Sequence, residues 1–286
     1  MNEQRPGYSL PLAHGELSDK DAVELKALKD MITKDLGFAS DGYKEHCLRR
    51  RIAVRLRARG VHTYAEYTKL LKTDPTEHRK LLDAVTINVS KFYRNRELWR
   101  SLDQLVVPKL FDWRARPIRC WSAGCAAGEE PYTIAMLLRE HAIRNGRERE
   151  LSKFSVLGTD IDRESLLLAK QGTYGAFAFT DIEKELREQW FLPPEHTEVK
   201  PEIRKMVKFE TRDLIKDTFD TGYHLIFCRN VIIYFEREVQ ERLFMKFHEA
   251  LAPGGFLVLG KVETLFGRAA SLFKSVAQRD RVFVKA

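Results

Sequence analysis

From Ser18 to about Val85, apolar residues return every third or fourth position, the period of a helix that hides one face. SDKDAVELKALKDMITKDLGF opens on a Ser-Asp start signal and brings round Val23, Leu25, Leu28, Met31 and Ile32 before Gly37 stops it. Lys44 to Arg59 predicts a second helix, Thr63 to Leu71 a third, and Thr76 to Val85 a fourth with Pro75 acceptable at its start. No strand candidate falls here, so residues 18–85 are expected to form a small all-α domain behind a flexible N-terminus over 1–17. A polar loop from Asn88 to Asn95, a helix through Leu110 and a break at Pro117 then make 86–117 a linker.

Beyond Pro117 the period changes. IRCW, FSVLGTDI, YHLIFCRN, PGGFLVLGKV and RVFVKA read as strands, separated by the helical stretches EPYTIAMLLREHAI, RESLLLAKQG and REVQERLFMKFHEALA. Strands alternating with helices of that length imply parallel βαβ units with helices on both sheet faces. The expected class is therefore α/β over 118–286, interrupted by a small insertion at about 176–210 that carries LPPEHTEVKPEIRK.

Composition narrows the field. Among 286 residues, charged types make up 31% and hydrophobic ones 44%, ordinary globular usage that excludes wholesale disorder and fibre repeats. No stretch approaches the roughly 18 apolar residues that span a bilayer, and the opening segment lacks the apolar centre of a secretory signal, so a cytoplasmic protein is expected. The balance of 49 basic against 41 acidic side chains, +8, suits an anionic partner without choosing among nucleic acid, membrane surface and acidic protein. Cys47, Cys120, Cys125 and Cys228 include no CxxC pair, so buried free thiols are expected rather than disulfides or a metal site.

The chemistry concentrates in WSAGCAAGEEPYTIA, where a strand enters a small-residue turn containing Gly124 and Gly128 and passes straight into a helix. Doubly wound sheets bind nucleotides at this edge. Glu129 and Glu130 in the first helical turn would repel a pyrophosphate, which argues for a ligand with an ammonium group. Asp160, ending the second strand in GTDID, is placed to accept hydrogen bonds from ribose hydroxyls. Ribose and ammonium without phosphate describe S-adenosylmethionine. In CRNVIIYF, Arg229 and Asn230 leave a buried strand beside the same edge, with Tyr234 shortly after. The blander alternative is that the Glu pair only complements the helix dipole, Asp160 only caps a helix and Arg229 simply leaves the core.

Taken in order, INVSKFYRN, SAGCAAGEEPYTIAMLL, GTDID, FCRNVIIYF and LAPGGFLVLG resemble the chemotaxis receptor methyltransferases, the CheR family, across nearly the whole chain. The resemblance implies a helical N-terminal domain joined to a Rossmann-like S-adenosylmethionine-dependent methyltransferase domain with a small β insertion. It also implies methyl transfer to glutamate side chains of receptor helices, giving methyl esters and S-adenosylhomocysteine. Cofactor contacts implied by it are Asn88, Ser90, Arg94, Glu130, Asp160, Asp213, Leu214, Arg229 and Asn230, joined by Gly124 of the turn. Arg94, Arg229 and Tyr234 would orient the acceptor carboxylate. Ser90 stands where threonine also occurs, Asp213 where asparagine is frequent, and GKVETL replaces the more usual GHSEN.

Arg51, Arg55 and Arg59, spaced four apart in LRRRIAVRLRARG with Ile52, Val54 and Leu56 available to the core, make a candidate docking stripe for glutamate-rich receptor helices. The insertion looks short beside family members that tether to a receptor pentapeptide, so untethered binding is expected. The expected protein is a monomer that neither inserts into the membrane nor binds nucleic acid, working at the membrane's inner face when bound to receptors. Two rivals remain: a nucleic-acid methyltransferase, which would need a motif for a poorly nucleophilic base that CRNV does not supply, and a non-catalytic cofactor-binding sensor, which has no use for a carboxylate-orienting group.

Overall fold

The computed structural model describes residues 15–86, 88–114 and 117–286; the N-terminal segment expected to be flexible thus lies outside the described residues over 1–14. Two compact units result.

The first contains the described residues through 86 together with Tyr234–Glu236. Its helices are α1 (Asp19–Asp35), α2 (Glu45–Arg59), α3 (Tyr64–Thr73) and α4 (Pro75–Val85). Local chemistry sets their ends. The Ser18 hydroxyl accepts from the Asp21 N–H, Thr63 and Glu66 form a reciprocal capping box, Asp74 caps α4 ahead of Pro75, and Gly60 closes α2 at φ 66°. Leu28, Ile52, Leu56, Tyr64, Tyr67 and Leu81 are fully buried between α1 and α3 and between α2 and α4. The Tyr234 carbonyl accepts from the Lys44 N–H at 2.8 Å, and the Glu236 N–H donates to Gly42 at 2.9 Å.

The second unit runs over the described residues of Asn88–Ile233 and Arg237–Ala286. In order it contains α5 (Arg96–Leu105), α6 (Val107–Asp112), β1 (Ile118–Ala123), α7 (Glu129–Arg144), β2 (Phe154–Asp160), α8 (Arg163–Gln171), α9 (Lys184–Trp190), β3 (Phe191–Leu192), β4 (Glu198–Val199), α10 (Pro201–Arg204), β5 (Val207–Thr211), β6 (Tyr223–Cys228), α11 (Arg237–Ala250), β7 (Leu251–Leu259), α12 (Ala269–Leu272), β8 (Phe273–Ala277) and β9 (Val282–Lys285). The segment read as a linker packs into this unit's core through Phe92, Trp99, Leu102 and Phe111. Its helix divides at Val106, because Pro108 has no N–H with which to continue the ladder.

The main sheet has seven strands in the order β5-β2-β1-β6-β7-β9-β8, with β3 and β4 forming a separate two-stranded piece. All pairs from β5 to β7 are parallel, and β9 pairs antiparallel with both β7 and β8. Two of these strands are not legible in the apolar pattern. Val207–Thr211, assigned largely to the insertion, is an edge strand whose outer positions Lys208 and Glu210 face water. Phe273–Ala277 is the opposite edge, with Lys274 and Ser275 exposed. No helix among the described residues is long and apolar enough to cross a membrane, and these residues hold no cluster of metal-ligating side chains. All four cysteines are free; Cys120, Cys125 and Cys228 are buried and Cys47 is partly exposed.

Candidate active site

The order of the parallel strands locates the site. Strand β1 is flanked by β2 on one side and β6 on the other, so the connections leaving its carboxyl end diverge and open a crevice there. Around it stand the exits of β1 (Gly124), β2 (Asp160) and β6 (Arg229, Asn230).

The turn after β1 is held by the neighbouring strand. Gly124 and Cys125 both donate their N–H to the Thr159 carbonyl, at 2.8 and 2.9 Å, and the Ala126 N–H donates to Asp160 Oδ2 at 2.8 Å. Gly124 adopts φ 80°, and a Cβ there would come within 2.5 Å of the Val231 side chain, so glycine serves both the backbone and the close approach. Asp160 also accepts from the Asp162 N–H at 3.0 Å through its other oxygen and is 8% exposed. Burial raises its pKa despite those N–H donors.

The two glutamates part company. Glu130 accepts from Ser122 Oγ at 2.8 Å and from Arg229 Nη1 at 3.0 Å. Glu129 is 5% exposed, its Oε2 is buried with no hydrogen-bond partner among the described residues, and burial pushes its pKa up to about 7 against a hydrogen bond from Ser90. Glu130 is the expected cofactor contact, and it is Glu129 that keeps a buried carboxylate oxygen without a partner among the described residues.

Arg229 is likewise fixed by its partners. Its side chain is 3% exposed, Nη2 donates to the Arg94 carbonyl at 3.1 Å and to Asn95 Oδ1 at 2.8 Å, and the guanidinium lies 5.9 Å from the Trp99 ring. A buried cation paired with Glu130 braces this part of the crevice. Arg94 differs: it is half-buried, and among the described residues its side-chain hydrogen bond is a 3.3 Å donation from Nη1 to the Val89 carbonyl.

The other expected contacts have the following partners. Asn88 Nδ2 donates to Asp162, the N-cap of α8. Asp213 Oδ1 accepts from the Ile215 N–H at 2.8 Å, capping the turn that buries Leu214. Asn230 takes φ 61°, and its N–H donates at 3.0 Å to Glu263, a residue that sequence reasoning missed inside GKVETL. Tyr234 clusters with the helical unit.

In the helical unit two arginines of the candidate stripe are paired with acids. Arg55 makes a two-pronged pair with Glu77, 2.8 Å from Nε and 2.9 Å from Nη2, and Arg59 reaches Asp74 at 3.0 Å and Glu77 at 3.7 Å. Among the described residues, Arg51 alone of the three has no acidic partner, and its Nε is buried. Val54, assigned to the core, is 47% exposed and lies between exposed Arg50 and Arg57. Arg50, Val54, Arg57 and Arg59 of α2 are thus exposed, whereas Arg51 and Arg55 are half-buried.

A buried, partnerless carboxylate oxygen beside an acid at a strand end fits a cofactor that brings an ammonium group and ribose hydroxyls. Comparison with known proteins agrees. The CheR methyltransferase SAM-binding domain matches residues 88–282, and the CheR methyltransferase all-alpha domain matches 23–86. A chemotaxis protein methyltransferase of Listeria monocytogenes is 33% identical over 240 residues, covering 84% of this chain and 89% of the relative. One of Borreliella burgdorferi is 32% identical over 254 residues (85% and 89%), and chemotaxis protein methyltransferase 1 of Pseudomonas aeruginosa 28% over 249 (85% and 90%). The chain belongs to the CheR methyltransferase family, with S-adenosylmethionine as its cofactor.

Proposed function

We propose that this protein methylates glutamate side-chain carboxylates of chemoreceptors, forming glutamate methyl esters. The relatives' chemotaxis names support the setting. The observation that carries the acceptor chemistry is the contrast between the two arginines: Arg229 is braced inside, whereas Arg94 stays half-buried with donors left for an anion. Bound S-adenosylmethionine supplies an electrophilic methyl whose sulfonium leaves as a neutral thioether. An acceptor glutamate, with a pKa near ~4.3, is already ionised at neutral pH and needs no base. Arg94 then aligns one carboxylate oxygen and the crevice excludes water. Cys125 and Cys228 are buried, which raises their pKa well above the ordinary value and keeps them from competing as thiolates. In this reading Asn88, Ser90, Gly124, Asp160, Asp213, Leu214 and Asn230 hold the cofactor, and Glu129 meets its ammonium group.

That last contact has a pH signature. With the cofactor absent, a carboxyl raised to about 7 stays protonated in the folded protein while its unfolded counterpart ionises, so its contribution to stability falls as pH rises from 4.5 to about 7. Binding an ammonium favours the ionised form, so affinity rises with pH over the same window and levels above it. One-proton linkage gives about tenfold tighter S-adenosylhomocysteine binding at pH 8 than at pH 6, and calorimetry should show the Glu129→Gln variant losing that slope.

The receptor-facing surface in this reading is the solvent face of α2, Arg50 and Arg57 flanking Val54. The test is incubation with labelled S-adenosylmethionine and receptor-rich membranes, scoring label released as methanol by mild alkali. Ester chemistry yields it; alkali-stable label, or none with cognate receptors, overturns the reading. In the same assay, Arg50→Glu with Arg57→Glu should lower kcat/KM by about tenfold at low salt, with the deficit shrinking as salt screens it and S-adenosylhomocysteine affinity unchanged.

A further inference from the structure

Strands β6 and β7 are parallel neighbours, so their exits leave the sheet side by side. From the β6 exit comes Asn230, in a left-handed conformation at φ 61°, followed by Val231 and Ile232. From the β7 exit comes the tight turn Gly260-Lys261-Val262-Glu263, closed by the Glu263 N–H donating to the Gly260 carbonyl at 2.9 Å. Lys261 and Val262 point to solvent, Val262 being 72% exposed, whereas Glu263 folds back and is 3% exposed.

Its carboxylate meets four backbone donors. Oε2 accepts from Gly260 at 2.5 Å and from Asn230 at 3.0 Å; Oε1 accepts from Val231 at 3.1 Å and from Ile232 at 3.0 Å. Successive N–H groups curled around one anion form a nest, usually filled by a ligand. Here the chain fills it with its own side chain. The sequence is shaped around the contact as well: a Cβ on Gly260 would lie 2.6 Å from Glu263 Oε2 and 2.9 Å from the Asn230 nitrogen.

We propose that Glu263 is a positioning residue for the methyl-transfer reaction, an internal anion that clamps the β7 exit to the β6 exit and so holds Asn230 at the cofactor crevice. The assignment rests on the reading of Asn230 as a cofactor contact. Without the clamp, a residue with positive φ has nothing to keep it there, and three adjacent N–H groups are left buried without acceptors. Within the turn nothing else can substitute, because Lys261 and Val262 face water and carry no carboxylate.

The experiment uses the full chain. Glu263→Gln keeps the volume but turns an NH2 group toward N–H donors; Gly260→Ala keeps the charge and displaces it. In both, amide exchange over 229–233 and 259–263 should accelerate by about tenfold or more while β1 and β2 keep their protection, and S-adenosylhomocysteine should bind at least about tenfold more weakly. The KM for S-adenosylmethionine should rise while kcat at saturation recovers, and Glu263→Asp should restore part of the affinity. Val282→Ala, a buried change on β9, controls for general destabilisation: it should lower the melting temperature without the local exchange signature or the affinity loss. Wild-type protection in Glu263→Gln overturns the clamp. Lost protection with wild-type affinity overturns the positioning role. Failure of the wild-type protein itself to bind S-adenosylhomocysteine sinks the functional reading instead, and the exchange comparison still decides whether Glu263 holds the turn.

Discussion

Arg229→Met is expected to lower stability by about 3–5 kcal/mol, because it strands Glu130 as a buried anion without its partner. The arginine side chain is 3% exposed and that of Glu130 12%, so solvent offers little compensation. The same change releases the Asn95 side chain and leaves the Arg94 carbonyl to the Trp99 indole N–H at 3.0 Å, and so loosens the loop that carries Arg94. Binding of S-adenosylhomocysteine should weaken together with stability, and activity should fall with both. A substrate-orienting arginine would behave otherwise: its removal would lower kcat with cofactor affinity and unfolding midpoint intact. Urea denaturation and calorimetry on the one variant separate these outcomes. A double-mutant cycle with Glu130→Gln sharpens the result, since removing both charges should cost much less than the sum of the single changes. Independent, additive losses would mean that the 3.0 Å pair does not couple the residues.

Much of this was legible in the chain. The period of the apolar residues gave every helix of the first unit and the buried strands of the second, because those strands are apolar on both faces. It missed Val207–Thr211 and Phe273–Ala277 because they are edge strands: half their positions meet water, and their short polar alternation looks like loop. The location of the site was legible too, since a small-residue turn ending in two acids marks the β1 exit. Which acid does what was not. Glu129 and Glu130 are adjacent in sequence and about 100° apart around a helix, and only packing decides that one meets Arg229 while the other keeps an oxygen without a partner among the described residues. The Glu263 clamp was hidden for the same reason, its four partners being backbone N–H groups that leave no trace in side-chain identity; the fourth residue of both GKVETL and the more usual GHSEN is nonetheless glutamate. The pairing of Arg55 and Arg59 was hidden by one residue, Glu77, which shares the buried face of α4 with Leu81 and Val85 but whose charge reads as surface.

Glu77 carries the second large effect. It is fully buried in a polar knot: two guanidinium nitrogens of Arg55 at 2.8 and 2.9 Å, the Tyr67 hydroxyl at 2.8 Å, and Arg59 at 3.7 Å. Burial, the largest influence, would raise its pKa, but the hydrogen bonds from Arg55 and Tyr67 with the two guanidinium charges outweigh it and hold the carboxyl below the usual range. A depressed carboxyl contributes stability above its unfolded pKa and loses it as pH falls through the folded value, so acidification should selectively weaken the helical unit. Glu77→Ala leaves Arg55 and the Tyr67 hydroxyl without their acceptor, and a loss of about 3–5 kcal/mol is expected. A unit of that size has little margin, so the helical signal should melt at markedly lower temperature or urea. Arg55→Met should do nearly as much, and Arg55→Met combined with Glu77→Leu should regain most of the loss, because an apolar pair of similar volume needs no desolvation. This bears directly on receptor recognition. If Arg55 and Arg59 were a docking stripe, their charge reversal would cut receptor methylation in a protein that melts normally; with Glu77 beneath them, Arg55→Glu should fail by unfolding, while Arg50→Glu with Arg57→Glu melts like wild type and loses only the receptor.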